Sequence, residues 1–336
     1  MKRFISILII SIFTLTSFAQ ESGISKLEIE FRSDFSHNFG YSSSTGFDGK
    51  YLNFSLDGNI TPNISYSLKQ RLNKSISQSN LFSATDWATI TYTTKKWQLS
   101  AGKQVVAIGG YEYDAAPIDL YFASEFWNNI PCYQFGVSAS YIIGDNDYVM
   151  FQLCESPFSN DNDARFGYNL LWKGDYDWYQ TFSSLNLFQT APNCYIGYIA
   201  IGNLFKFGKF TISIDIMERI QNGSIDGENM SFMGDIKYKV NDKLTLLVNG
   251  SHDFNNSEND NDYCVLKGIN ISRLSGGLEW FPLKNNNVRV HALFNHNFGD
   301  KEGVIGVLTP KTSTINLGIT WKANLLNIKK NNISHI

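Results

Sequence analysis

Four acidic side chains, Glu112, Asp114, Asp119 and Glu125, fall in the stretch from Val105 to Pro131, which contains no Lys or Arg. Beside a water-filled path, such a set biases passing ions toward cations, because low-dielectric walls strengthen the field of each carboxylate. Other chemistry has less support. The five histidines are His37, His252, His291, His296 and His335; only His291 and His296 are close in sequence, and they lie on opposite strand faces, so no metal spacing results. A hydrolase would need Ser, His and an acid held together, with His252 or His37 on loops as the base. Polar residues are so common here that such a trio arises by chance, and we read no catalytic residue, no metal and no cofactor. Asn160-Asp161-Asn162-Asp163 and Glu258 to Asp262 offer hard oxygen ligands but lack the glycine and distal glutamate of a calcium loop, so they read as solvated loop tips. Cys132 and Cys154 share the water-facing parity of neighbouring strands, and a bridge between them is geometrically open once the chain is exported, although connectivity does not follow from sequence.

The elements that must position these groups are strands. Tyr133, Phe135, Val137, Ala139 and Tyr141 alternate with Gln134, Gly136, Ser138 and Ser140; Phe210, Ile212, Ile214 and Ile216 alternate with Thr211, Ser213, Asp215 and Met217. This is period two. The same alternation recurs sixteen times, from Leu27–Arg32 to Ile315–Trp321, and the connections between strands alternate long and short. The expected fold is therefore all-β, a transmembrane antiparallel barrel of about 16 strands, each of ~9 to 11 residues, with both termini on the short-turn side. A secreted sandwich or propeller is the alternative, but it gives no reason for loop lengths to alternate. Trp97, Trp172, Trp178, Trp280 and Trp321 all fall near short-turn ends, where indoles sit at headgroup level. The longest connection, about residues 105–131, is too long and too aromatic to be a simple link, and it is expected to fold inward as a constriction.

Met1-Lys2-Arg3, an apolar run and Ser17-Phe18-Ala19 form a signal peptide over 1–19, leaving residues 20–336 as one barrel. Without Lys2 and Arg3, 26 basic side chains face 31 acidic ones, which gives no case for nucleic-acid binding. After residue 19 no apolar run approaches the ~18 to 20 residues of a membrane helix. Ala323 to Ile336 continues past the last strand and reads as a periplasmic tail. The inward face of the strands, with Lys103 after β-pattern residues 97–102, supplies the expected lining: Arg32, Lys69, Arg71, Lys103, Asp215, Asp235, Lys237 and Arg289.

Several motifs resemble one family. Ala101-Gly102-Lys103-Gln104, Gly109-Gly110-Tyr111-Glu112-Tyr113-Asp114, Pro117-Ile118-Asp119, Phe126-Trp127-Asn128-Asn129 and Gln134-Phe135-Gly136-Val137-Ser138 are similar to the phosphate-selective porins O and P. So are Ser184-Leu185-Asn186-Leu187-Phe188, Gly202-Asn203 and Leu278-Glu279-Trp280-Phe281-Pro282. The resemblance implies a porin in the outer membrane, in contact with its lipid, passing small hydrophilic solutes or ions, and assembled as a homotrimer. Phosphate selection calls for clustered bases at the narrow point, whereas the long loop carries acids. The expectation is thus a weakly cation-preferring or broadly permissive pore, with a plugged structural or adhesin barrel and then a lipid-modifying enzyme as alternatives.

Overall fold

The computed structural model describes residues 23–40, 43–74, 80–159, 164–221, 223, 225–258, 261–299 and 306–327. The signal segment, Asn160 to Asp163 and His335 lie outside them. Among the described residues, sixteen strands run β1 (Gly23–Phe39), β2 (Ser44–Thr61), β3 (Ile64–Arg71), β4 (Thr85–Thr93), β5 (Trp97–Val105), β6 (Tyr133–Ile142), β7 (Asp147–Glu155) and β8 (Phe166–Tyr176). They continue as β9 (Tyr179–Ala191), β10 (Cys194–Phe207), β11 (Phe210–Gln221), β12 (Asn229–Asn241), β13 (Leu244–Asn255), β14 (Asn270–Trp280), β15 (Val288–Gly299) and β16 (Ser313–Asn327). Each pairs antiparallel with its sequence neighbours, and β1 pairs with β16, so the sheet is a closed barrel. Closure removes both free edges, which lets backbone polar groups be satisfied without water. Phe31 and Trp321 face each other across this seam, their rings 5.6 Å apart.

The barrel is inside out relative to a soluble core. Along β8, Phe166, Tyr168, Leu170 and Trp172 are exposed while Gly167, Asn169 and Leu171 between them are buried. Val137, Phe151, Leu185, Ile201 and Phe294 are likewise exposed, whereas Gln152, Asn169, Asn186, Ser231 and Thr320 are buried. An apolar outer band with polar groups inside is the arrangement that hydrocarbon around the wall demands. The five expected girdle tryptophans lie at the short-turn ends, with Trp97 opening β5, Trp178 in the β8–β9 turn and Trp280 closing β14.

Three local expectations are corrected. Strand lengths depart from ~9 to 11 residues: β1 has 17 residues and β2 has 18, while β3 has 8. The β9–β10 connection, on the long-loop side, is only Pro192-Asn193, with Asn193 at φ 59° in the left-handed region that asparagine tolerates. The start of the expected tail, Ala323 to Asn327, belongs to β16, where it pairs with β1.

Candidate functional site

The long connection between β5 and β6 carries two short helices, α1 (Tyr111–Asp114) and α2 (Glu125–Asn129). The backbone N–H of Ala107 donates to Gln152 Oε1 on β7 at 2.8 Å, that of Gly109 to Ser184 Oγ on β9 at 2.8 Å, and that of Glu112 to Asp215 Oδ2 on β11 at 2.7 Å. Farther along, the Glu125 N–H donates to Asp253 Oδ2 on β13 at 2.9 Å, and Tyr121 Oη donates to Glu279 Oε1 on β14 at 2.6 Å. Arg289 on β15 meets Asp119 at 2.8 Å, and Arg32 on β1 donates to the Leu120 carbonyl at 2.6 Å. A segment that touches β7, β9, β11, β13, β14, β15 and β1 of a closed wall runs inside it.

Glycine sets how closely the loop approaches. The Gly110 N–H donates to the Phe182 carbonyl at 2.9 Å, with Gly110 at φ +105°. A Cβ on Gly109 would stand 2.7 Å from that carbonyl, and one on Gly202 of β10 would stand 2.8 Å from Gly110 Cα. Backbone therefore packs on backbone, which only residues without a Cβ allow. The Gly109-Gly110 and Gly202 motifs, far apart in sequence, are two sides of one contact.

The four loop acids divide into two pairs. Glu112 is buried; it accepts from the Ser124 N–H at 3.0 Å and from the Ser124 hydroxyl, with Arg273 of β14 at 3.4 Å. Burial lifts its carboxyl to about 7, against the pull of Arg273. Glu125 is fully buried and accepts from the N–H groups of Val307 and Leu308, both at 2.9 Å, clamping the β15–β16 connection; burial raises its carboxyl too, opposed by those two N–H groups. These two acids position the loop and present no free charge to water. Asp114 and Asp119 are part-exposed, and each has a base opposite: Lys173 at 3.7 Å and Arg289 at 2.8 Å.

The expected lining residues are mostly neutralised. Arg32 is paired with Asp34 at 2.6 Å, Lys69 with Glu30 at 2.9 Å, Arg71 with Asp86 at 2.7 Å and Lys237 with Asp235 at 3.8 Å. The guanidinium groups of Arg32 and Arg289 also lie over the Tyr121 ring, 4.6 Å and 5.4 Å from its centre. Asp215 is buried beneath α1. Lys103 stands in a different place: it pairs in register with Phe135, next to Val137 on the lipid-facing side, and its Nζ reaches the Phe82 carbonyl at 2.6 Å, so it sits at the rim rather than in the lumen.

Cys132 and Cys154 are free. Cys154 is opposite Gly136 of β6, and Cys132 precedes that strand, four residues before Gly136, about 13 Å of extended chain and beyond disulfide reach. His252 and His37 are on strands, not loops, and hydrogen-bond Ser272 and Thr45 across the sheet. Asp262 of the second calcium-like run is buried on Arg219 at 2.6 Å. Among the described residues no three His, Cys, Asp or Glu side chains group as metal ligands. Asp253, Arg273 and Tyr121 are all central to docking the loop, and nothing local in the sequence marks them. Ser124 did carry a signal: it caps α2, accepting from the Trp127 N–H at 3.1 Å, as a serine before a short helix should.

Two cavities flank the loop. One, about 170 Å³, lies between residues 111–122 and β10–β14, beside Asp119, Asp215, Asp235 and Lys237. The other, about 320 Å³, lies between residues 105–117 and the inner faces of β3, β4 and β7–β9. On the β7–β14 side, Val106, Ile108, Phe126, Ile130, Val265 and Ile269 form an apolar cluster that fixes the loop.

Residues 26–176, a little under half of the chain, match the model of the family described as phosphate-selective porin O and P. No curated protein matches. Solved structures that are similar include the outer membrane channel DcaP of Acinetobacter baumannii, at 14% identity and a TM-score of 0.66 over 91% of this chain and 99% of that one. An anion-selective porin from Comamonas acidovorans is similar at 12% identity, with a TM-score of 0.65 over 90% and 100%. The trimer form of OmpT from Vibrio cholerae follows at 13% identity and 0.62, over 90% and 100%. At these identities the likeness is one of fold: a sixteen-stranded porin barrel.

Proposed function

We propose that this chain is an outer-membrane porin through which small hydrophilic solutes and ions diffuse passively, with the loop of about 105–131 as its constriction. The observation that carries this reading is the ring of contacts from β7 round to β1, which suspends the loop across the lumen and leaves a cavity on each side of it. The polar inner face and paired charges suit passage of hydrated solutes, as in a channel rather than an enzyme.

Phosphate selectivity is not supported by the charges. Arg32, Lys69, Arg71, Arg273 and Arg289 each have a carboxylate within 3.4 Å, so these five inner bases are compensated. Asp215 and Asp253 accept backbone N–H groups instead of a cation. Ion preference is therefore weak and leans toward cations. Association as a homotrimer through the outer wall goes with this reading, on the analogy of the trimeric neighbour.

A plugged barrel is the rival, favoured by the apolar cluster that fills the β7–β14 side. Planar-bilayer recording separates the two. The porin gives stepwise, steady conductance in KCl; a plugged barrel gives none.

A further inference from the structure

Five of the seven tryptophans form the outer girdle, and the remaining two, Trp87 on β4 and Trp127 on α2, both line the same inner cavity of about 320 Å³. An indole inside a water-filled barrel is out of place, because the inner face of such a wall is ordinarily polar. Here Tyr148, Leu171 and Phe182 of β7, β8 and β9 and Tyr113 of the loop join them. The volume is at the lower end of small-molecule sites, which run to roughly 300 to 1,000 Å³.

The charges at this cavity cancel. Lys69 lies over the Trp87 ring at 5.1 Å and is bound to Glu30 at 2.9 Å. Lys173 lies over the Phe182 ring at 4.9 Å and faces Asp114 at 3.7 Å. The second pair is loose and open, with the Lys173 side chain 31% and the Asp114 side chain 47% exposed. Such a pair contributes little to stability and exchanges readily for other partners. Asp114 and Lys69 line this aromatic cavity, and Lys173, which is not itself part of the lining, stands beside Asp114 and over Phe182; a carboxylate and ammonium groups next to an aromatic surface match a ligand that carries both charges on one end and an apolar body on the other. A bare anion would also meet Asp114 and Glu30, and a bare cation would meet both lysines. The Trp127 indole N–H is buried and has no hydrogen-bond partner among the described residues.

We infer that this cavity is a subsite for zwitterionic solutes with an aromatic or bulky apolar body, of the kind free aromatic amino acids represent; the inference rests on the porin reading and names a substrate class for it. The test is current through the full-length channel in a planar bilayer with L-phenylalanine, phenylacetate, phenethylamine or glycine added. L-Phenylalanine should interrupt the current in a concentration-dependent way, with the other three about tenfold weaker or more. Asp114→Asn, at a part-exposed site that tolerates change, should weaken the phenylalanine block about tenfold by removing the ammonium's partner, and Phe182→Leu should weaken it while keeping the site apolar. Each block is read relative to that variant's own open current. Steady conductance with no phenylalanine block, or with phenylacetate or phenethylamine blocking as well, would overturn the subsite. Absence of any conductance would overturn the porin reading beneath it.

Discussion

The backbone N–H of Glu112 donates to Asp215 Oδ2 at 2.7 Å, tying the long loop to a strand 103 positions later in the chain. Asp215 is buried and Glu112 heads toward Arg273 on β14, so this one bond joins α1 to the wall between two further anchors. Replacing Asp215 by alanine leaves a buried N–H without its acceptor, a loss of ~1 to 3 kcal/mol. Amide hydrogen exchange in residues 106–115 should accelerate by about ten- to a hundredfold while the strand amides stay protected. Uniform protection in the variant would show that the loop is held without this bond.

Gly202→Ala tests the close approach of loop and wall. Its Cβ would meet Gly110 Cα at 2.8 Å and the Phe182 carbonyl at 2.9 Å, so backbone must shift. Loop exchange should rise, and open conductance should change. Gly234→Ala on β12, whose Cβ would find its nearest atom at 3.7 Å, should behave like the parent.

The pH dependence follows from Glu112. Its carboxyl is lifted from 4.5 to about 7 in the folded loop, so the folded state holds a proton that the undocked loop releases. Docking is then strongest below about 4.5 and is lost progressively as pH rises through 7. Loop exchange corrected for intrinsic rate, or single-channel noise, should increase from pH 5 to pH 8. Glu112→Gln should flatten that dependence; an unchanged slope would place the titrating group elsewhere.

Much of this fold is legible in the chain because a barrel wall writes the same two-residue period into every strand. Phe210 to Met217 could face hydrocarbon on one side and water on the other in only one way, and the girdle tryptophans fix which ends are the short turns. The site is less legible. A run such as Glu112, Asp114, Asp119 and Glu125 shows charge but not partner, and the partners, Arg273, Lys173, Arg289 and the N–H groups of Val307 and Leu308, come from strands and loops as many as 183 residues away. The disulfide expectation failed for a related reason: strand parity placed Cys132 and Cys154 on one face, whereas register, which parity does not determine, set them four residues apart. Lys103 is expected in the lining, whereas its parity, shared with Leu99 and Ala101, points outward.

Ion selectivity tests the central claim most directly. If the loop constricts a lumen whose bases are matched by carboxylates, the reversal potential in a tenfold KCl gradient should show a small cation preference that fades in high salt, where the Debye length falls from ~10 Å to ~3 Å. Asp114→Asn with Asp119→Asn, the two part-exposed loop acids, should move it toward anions, whereas amides at Glu112 and Glu125 should loosen the docked loop more than they shift selectivity. A strongly anion-selective parent channel whose chloride current is blocked by low concentrations of phosphate would contradict the account.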